Sequence, residues 1–167
     1  MGQAEFGQYS YTEGERQYIE GRVIVSTERE LDGWNILLVD DDPSGLEVLE
    51  ELINFYGATT QTAWNGKAAL EAVQQQKFDL IVTDLSMPVM DGLELTQKLK
   101  TDEATAQIPV IILTAHSLDH QSAIASGCDA LMTKPINPAR LLEQLKVVLP
   151  DGLGKPNDNS PPKSDAP

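Results

Sequence analysis

The chain has 167 residues, of which 41% are hydrophobic, with a formal net charge of −14 and a pI of about 4.3. This length accommodates one domain of ordinary size with additional segments at its ends. The negative charge argues against a nucleic-acid backbone as a direct partner. A single cysteine, Cys128, excludes a disulfide framework within the chain and is typical of a reducing compartment.

The sequence contains no segment that indicates a membrane or a secretory pathway. The N-terminus has no basic start followed by an apolar run, so no secretory signal is predicted. The longest apolar stretch, around Val110–Leu113, is too short to cross a bilayer. We therefore expect a cytoplasmic protein with no membrane partner.

From residue 35 onward, short β-prone runs alternate with helical patterns. The predicted strands are 35–39, 58–62, 78–83, 108–113 and 130–133. The predicted helices begin at Pro43, after Asn65, at Asp91, at Leu118 and at either Asn137 or Pro138. Nearly continuous apolar strands that alternate with helices predict an α/β fold, in which a parallel sheet is covered by helices on both faces.

The two ends differ in composition from the region between them. Residues 1–33 are expected to form a flexible or weakly ordered extension, in which the β-prone run Arg22–Ser26 indicates one strand or a hairpin. Residues 34–149 form the predicted domain. Residues 150–167 have almost nothing to bury, so a disordered tail is predicted there.

Polar residues follow four of the five predicted strands: Asp40, Asp41 and Asp42 after the first, Asp84 after the third, Thr114 after the fourth and Lys134 after the fifth. Ligands of open α/β sheets bind at the carboxyl ends of the strands, so these side chains are expected to meet in one crevice. Clustered carboxylates repel one another and raise each other's pKa unless positive charge lies among them.

The residue types in this crevice indicate phosphoryl chemistry. Several carboxylates without a nearby histidine or cysteine suit Mg²⁺, which prefers oxygen ligands. Lys134 would add a second positive charge. An aspartate can act as a nucleophile toward phosphorus, and the metal and lysine would neutralise charge on the transferring group.

Four motifs in this order resemble those of response-regulator receiver domains. They are Asp-Asp at 40–41, Asp-Leu-Ser-Met-Pro-Val-Met-Asp-Gly at 84–92, Leu-Thr-Ala at 113–115 and Thr-Lys-Pro at 133–135. The resemblance covers about residues 35–149. It implies a flavodoxin-like, doubly wound sheet of five parallel strands in the order 2-1-3-4-5, with five helices.

The resemblance also implies a role for each matching residue. Asp84 would be the phosphoacceptor, Thr114 would carry the switch hydroxyl, and Lys134 would be the lysine that the family has at this position. Mg²⁺ would be held by Asp41 directly, by Asp40 mostly through water, by Asp84 and by the backbone carbonyl of Ser86. Asp42 would be a solvated neighbour, and the Lys134–Pro135 peptide bond would be cis. The sequence departs from the family at Leu131, where a tyrosine or phenylalanine is frequent.

The resulting hypothesis is a phosphorylation-dependent signalling module. It would take a phosphoryl group from a histidine kinase or a histidine phosphotransfer protein and would act on an unknown output protein or in a phosphorelay. It would not be a classical enzyme, since it would catalyse only its own phosphorylation and slow dephosphorylation. We expect no separate output domain, because nothing of domain length follows residue 149.

Two alternatives remain open at this point. One is an interaction domain with a vestigial site, although the complete set of site residues argues against it. The other is a phosphohydrolase with an aspartate nucleophile, but such enzymes place a second aspartate where this chain has Ser86. In the leading hypothesis, Thr114 moves toward the phosphoryl group, displaces residues 115–118 and alters the surface made by helix 4, strand 5 and helix 5.

Overall fold

The structure, a computed structural model, describes residues 30–115 and 120–149 and the backbone of residues 10–13, 16–19 and 22–25. The upstream residues form three antiparallel strands: β1 (Ser10–Glu13), β2 (Arg16–Ile19) and β3 (Arg22–Val25). The sequence predicts one strand or a hairpin here, because only β3 contains a run of aliphatic residues. The predicted tail at 150–167 lies outside the described residues.

The second sheet has five parallel strands: β4 (Asn35–Val39), β5 (Thr59–Ala63), β6 (Leu80–Asp84), β7 (Val110–Thr114) and β8 (Ala130–Thr133). Their order in the sheet is β5-β4-β6-β7-β8, which confirms the predicted order 2-1-3-4-5. The helices are α1 (Pro43–Phe55), α2 (Gly66–Gln75), α3 (Gly92–Thr101), α4 (His120–Ser126) and α5 (Pro138–Val148).

Two hydrophobic layers cover the two faces of this sheet. Ile36 and Leu38 of β4 pack with apolar residues of α1 and α5. Leu37 and Val39 of the same strand pack on the opposite face with residues of α2 and α3. Since both faces are covered, the central strands are largely apolar, as parallel strands of this kind are, and the polar residues of β6 and β7, Thr83, Asp84 and Thr114, lie at the carboxyl ends.

Helix caps mark where the chain turns from strand to helix. Asn65, Asp91 and Asn137 accept hydrogen bonds from backbone N–H groups in the first turns of α2, α3 and α5. Asp42 caps α1 in the same way, with acceptor distances of 3.2 Å from the N–H groups of Ser44 and Gly45. The prediction that Asp42 is only a solvated neighbour is therefore incomplete, since it is exposed but also begins a helix.

The packed body of the domain includes residues upstream of 34. Leu31 is fully buried in the layer that contains α1 and α5, and its N–H donates to the carbonyl of Tyr56 at 2.9 Å. Glu30 forms an ion pair with Lys146 of α5. The segment that enters β4 is thus bound to the C-terminal ends of α1 and α5.

Candidate functional site

Strands β4, β6, β7 and β8 end at the same edge of the sheet, and their last residues lie around one crevice. Asp40 directly follows β4, Asp84 ends β6 and Thr114 ends β7. Asp40 is 5% exposed and Asp84 is 8% exposed. The order of the strands reverses at β4 and β6, the position where open α/β sheets bind ligands.

Lys134 connects the two buried carboxylates. Its Nζ lies 2.8 Å from Oδ2 of Asp40 and 2.7 Å from Oδ1 of Asp84. Lys134 follows β8, Asp40 follows β4 and Asp84 ends β6, so the contact joins three strand ends. Charge-assisted contacts at these distances hold all three side chains in defined positions.

The charge of the crevice is only partly balanced. Burial raises the pKa of Asp84 above its ordinary value of 3.8; contacts with Lys134 lower it and the charge of Asp40 raises it further. Burial by itself would lower the pKa of Lys134, but its hydrogen bonds to Asp40 and Asp84 outweigh that effect and raise it. The lysine therefore stays charged, while the carboxylate form of Asp84 needs further stabilisation.

Asp41 completes a group of three carboxylates. Ligand oxygens of Asp40, Asp41 and Asp84 lie within 4.8 Å of one another, and Asp41 is exposed where the other two are buried. A set of only carboxylate oxygens, open to solvent on one side, suits a hard cation that retains water ligands. The donor set and the raised pKa of Asp84 both fit Mg²⁺.

The loop after β6 orients the second oxygen of Asp84. The N–H of Ser86 donates to Oδ2 of Asp84 at 3.0 Å, while Oδ1 contacts Lys134. Both oxygens of this carboxylate are therefore held by partners from different parts of the chain. The role predicted for the Ser86 carbonyl stays a prediction.

The same loop returns closely onto the backbone of Asp84. A Cβ on Gly92 would lie 2.3 Å from the carbonyl oxygen of Asp84, so the close approach requires glycine. Motif comparison assigns Gly92 no role, although its place at the end of the Met-Asp-Gly run could have indicated a close backbone contact.

A strained turn lies within this loop. Val89 has a φ of 72°, and the N–H of Met90 donates to the carbonyl of Pro88 at 2.8 Å. This is a γ-turn of the strained type, and its central residue is β-branched and exposed. The turn leaves an apolar side chain exposed in the loop after β6.

The Lys134–Pro135 peptide bond is cis, as the resemblance implies. The N–H of Lys134 donates to the carbonyl of Thr114 at 2.7 Å, which joins the ends of β7 and β8. Thr114 is buried beside this contact. The structure thus brings Asp40, Asp41, Asp84, Thr114 and Lys134 to one edge, as the sequence predicts.

A groove extends from the site along β8 and α5. Its volume is about 430 Å³, and Leu131, Thr133, Lys134, Pro135 and Arg140 contribute to its lining. Leu131 is half-buried at the position where the family often has an aromatic ring. Lys134 belongs to both the groove and the acidic crevice.

Comparison with known proteins gives consistent relatives. The response regulator receiver domain family model matches residues 36–146. The polar-differentiation response regulator DivK of Brucella anthropi is 34% identical over 119 residues, which cover 70% of this chain and 97% of DivK. The sensor protein GacS of Pseudomonas syringae pv. syringae is 37% identical over 113 residues, which are 65% of this chain but only 12% of GacS.

Solved structures show the same fold. The receiver domain of a sensor histidine kinase from Pseudomonas aeruginosa PAO1 superimposes with a TM-score of 0.66 at 30% identity, and covers 70% of this chain and 97% of that chain. That structure holds a magnesium ion in its active-site cleft. No helix among the described residues is long and apolar enough to cross a membrane.

Proposed function

Because this chain belongs to the response regulator receiver domain family, we propose that it accepts a phosphoryl group on Asp84 from a histidine kinase or a histidine phosphotransfer protein. It then signals by binding a protein partner or by passing the phosphoryl group on. The family consists of signalling proteins, not classical enzymes. The contact that carries the proposal is the bridge from Lys134 to Asp40 and Asp84.

Asp84 supplies the nucleophile. One of its carboxylate oxygens forms a bond to phosphorus while the bond between phosphorus and the donor's histidine nitrogen breaks, and the electron pair of that bond stays with the imidazole. Lys134 and the Ser86 N–H hold this carboxylate before the reaction, which reduces the entropy lost on reaching the transition state. Later attack by water on phosphorus releases phosphate and restores Asp84.

The negative charge of the transferring phosphoryl group would be neutralised by Lys134 and by a Mg²⁺ ion held by the acidic residues. The ammonium group of Lys134, already at Asp84, can move its contact to a phosphoryl oxygen. Asp41 would hold Mg²⁺ directly, with Asp84 and the Ser86 carbonyl as further ligands and Asp40 acting through water. When bound, the ion supplies positive charge to the phosphoryl oxygens.

Thr114 would pass the change to the output surface. Its hydroxyl would donate to a phosphoryl oxygen. Its backbone carbonyl accepts a hydrogen bond from the N–H of Lys134, a residue that lines the groove. The displacement is expected in the loop 115–118, of which residues 116–118 lie outside the described part of the chain. Because Leu131 cannot provide an aromatic ring, the switch would work by displacement of the loop and repacking of an aliphatic side chain.

Phosphorylation by a small donor tests the proposal. Full-length protein is incubated with acetyl phosphate and Mg²⁺, and the intact mass is measured before and after removal of the donor. Wild type should gain one phosphoryl group that persists after the donor is removed, whereas Asp84→Asn should gain none. Asp91→Asn is the matched control, because it removes a charge from the same loop and an asparagine can still cap α3.

The two alternative functions give different results in the same experiment. A vestigial site would show no mass increase in wild type. A phosphohydrolase would release phosphate over many turnovers without accumulating a modified protein. If Asp84→Asn also gains one phosphoryl group, and that group persists as long as it does on wild type, the assignment of Asp84 as the phosphoacceptor is contradicted.

A further inference from the structure

Gly66, the first residue of α2, connects that helix to the loop after β6. Its N–H donates to the carbonyl of Met90 at 3.0 Å. The N–H groups in the first turn of a helix have no partner within the helix, so this bond satisfies one of them with a carbonyl from another part of the chain. Asn65 satisfies another by accepting from the N–H of Ala68. The start of α2 is therefore bound to the loop that follows Asp84.

The contact with Met90 leaves no room for a side chain at position 66. Gly66 is buried. A Cβ there would lie 2.6 Å from Cγ of Met90 and 2.9 Å from both its Sδ and its carbonyl oxygen. Close approach of two backbone segments is one of the uses of glycine, and any larger residue at this position would displace Met90.

The strained turn at Val89 depends on support from its neighbours. A β-branched residue with a φ of 72° persists only where surrounding contacts hold it. The side chain of Val89 is 75% exposed, so its own packing does not hold the turn. The flanking residues do: Met87 is buried and Met90 is half-buried in the layer that contains α2 and α3. The bond from Gly66 fixes the carbonyl of Met90 as well.

Other parts of the same loop meet Asp84. The N–H of Ser86 donates to Oδ2 of Asp84 at 3.0 Å. The N–H of Gly92 donates to the carbonyl of Leu85 at 2.8 Å, so the two ends of the loop are joined. Because the ends are joined, a displacement of Met90 has to be absorbed within the loop, which includes Ser86. The position of Met90 therefore influences how Ser86 meets the carboxylate.

From these contacts we propose that Gly66 is a positioning residue for phosphoryl transfer to Asp84. By binding the carbonyl of Met90 and leaving space for its side chain, Gly66 keeps the loop in the arrangement in which the Ser86 N–H reaches Asp84. The same arrangement places the carbonyl of Ser86, which the proposed function assigns to Mg²⁺. This role rests on the proposed function, and Gly66 lies outside the four motifs that indicate it.

The kinetics and the NMR spectrum of full-length Gly66→Ala test this role. The rate of phosphorylation by acetyl phosphate and Mg²⁺, followed by intact mass, should fall about tenfold or more, because the carboxylate is no longer held in its reactive position. Without Mg²⁺ and without the donor, the backbone amide signals of Asp84 and Ser86 should move from their wild-type positions. This second measurement reports the loop itself and does not depend on activity.

Gly127→Ala is the matched control for loss of stability. Gly127 has a φ of 87° in the turn between α4 and β8, so an alanine strains the backbone there, away from the loop after β6. This variant should lower the melting temperature, but it should leave the rate of phosphorylation and the signals of Asp84 and Ser86 unchanged.

A Met90→Ala background shows whether the effect passes through Met90. Cγ and Sδ of residue 90 are then absent, so the alanine at position 66 meets only the carbonyl oxygen. In this background Gly66→Ala should slow phosphorylation only about threefold, because part of the clash is removed. The same pair of variants gives the answer if Gly66→Ala alone does not fold.

The role is overturned if folded Gly66→Ala is phosphorylated at the wild-type rate, or if Gly127→Ala slows the reaction as much. It is also overturned if Gly66→Ala leaves the rate of Met90→Ala unchanged, or slows it as much as it slows wild type. A wild type that gains no phosphoryl group would instead overturn the proposed function, and this role with it.

Discussion

The two edges of the large sheet differ in how completely their charged side chains are paired. At the carboxyl edge, Asp40, Asp41 and Asp84 lie together with one lysine, Lys134, in contact with two of them. At the amino edge, Lys100 lies 2.8 Å from Asp129 and also donates to the carbonyls of Ala106 and Ile108, while Asp129 accepts from the N–H of Val110.

The difference follows from what each edge has to do. The network around Lys100 fastens the loops before β7 and β8, and each polar group in it has a partner within the chain. The carboxyl edge concentrates negative charge that a single lysine does not neutralise. Burial raises the pKa of Asp84, and the charge of Asp40 adds to that rise. Such an excess suits a site that receives a cation and a phosphoryl group.

The largest expected effect is on the rate of phosphorylation, which should depend on Lys134 but not on Lys100. Lys134→Gln should lower the rate of phosphorylation by acetyl phosphate by about 10²–10³-fold, since it removes the positive charge from the transferring group. Lys100→Gln should leave that rate unchanged but lower the free energy of unfolding by about 1–3 kcal/mol, because the partners of Lys100 lose their contacts. Intact-mass kinetics and urea denaturation measure the two quantities. Equal effects of both variants on the rate would remove the distinction.

A substitution at Leu31 measures how much apolar packing at the amino edge contributes to the free energy of unfolding. Leu31→Ala should lower the free energy of unfolding by about 2–5 kcal/mol, because the side chain is fully buried between α1 and α5. The affinity for Mg²⁺ should not change, since the cation site lies at the other edge. Ile124→Ala, at an exposed position, should change stability by less than about 0.5 kcal/mol. A Leu31 variant as stable as wild type would mean that the domain does not need residues upstream of 34.

Two adjacent aspartates sharpen the comparison within the carboxyl edge. Asp41→Asn should weaken Mg²⁺ binding about tenfold or more from a dissociation constant of about 1 mM, because it removes a ligand. Asp42→Asn removes the same charge one residue later but can still cap α1, so it should have little effect. A Mg²⁺ titration followed by NMR shifts or by fluorescence of the exposed Trp64 measures both. Equal affinities would show that overall charge, not ligation by Asp41, determines binding.

The smallest expected effect is the pH dependence of stability without Mg²⁺. Because its folded pKa is raised above 3.8, Asp84 contributes stability that is complete below pH 3.8 and is lost as the pH rises through the folded value. Asp84→Asn does not titrate, so its melting temperature should rise relative to that of wild type as the pH increases from about 4 to 7. Lys134 stays charged over this range because its pKa is raised from 10.5. A difference that does not change with pH would contradict the raised pKa.

Much of the fold follows from local patterns in the sequence. Apolar runs that alternate with segments of helical periodicity predicted the five strands of the large sheet and the five helices that cover it. Each of these elements depends on residues close together in the chain. Predicted strand ends moved by one or two residues: the third strand is Leu80–Asp84 instead of 78–83. The positions of Asp40, Asp84, Thr114 and Lys134 after strands placed them at one edge before any contact was known.

Only the tertiary structure determined which of these groups touch and which surfaces remain open. The contact between Lys134 and Asp84 joins residues 50 positions apart, and no local pattern gives its distance of 2.7 Å. Burial of Leu31 depends on α1 and α5, which follow it by many residues. The upstream strands β1 and β2 have polar sequences that hardly signal their pairing with each other and with β3. The sequence by itself determined the elements and the edge where chemistry occurs, since these need only local periodicity and chain order. Contacts, burial and the imbalance of charge depend on distant residues meeting, so only the folded chain determines them.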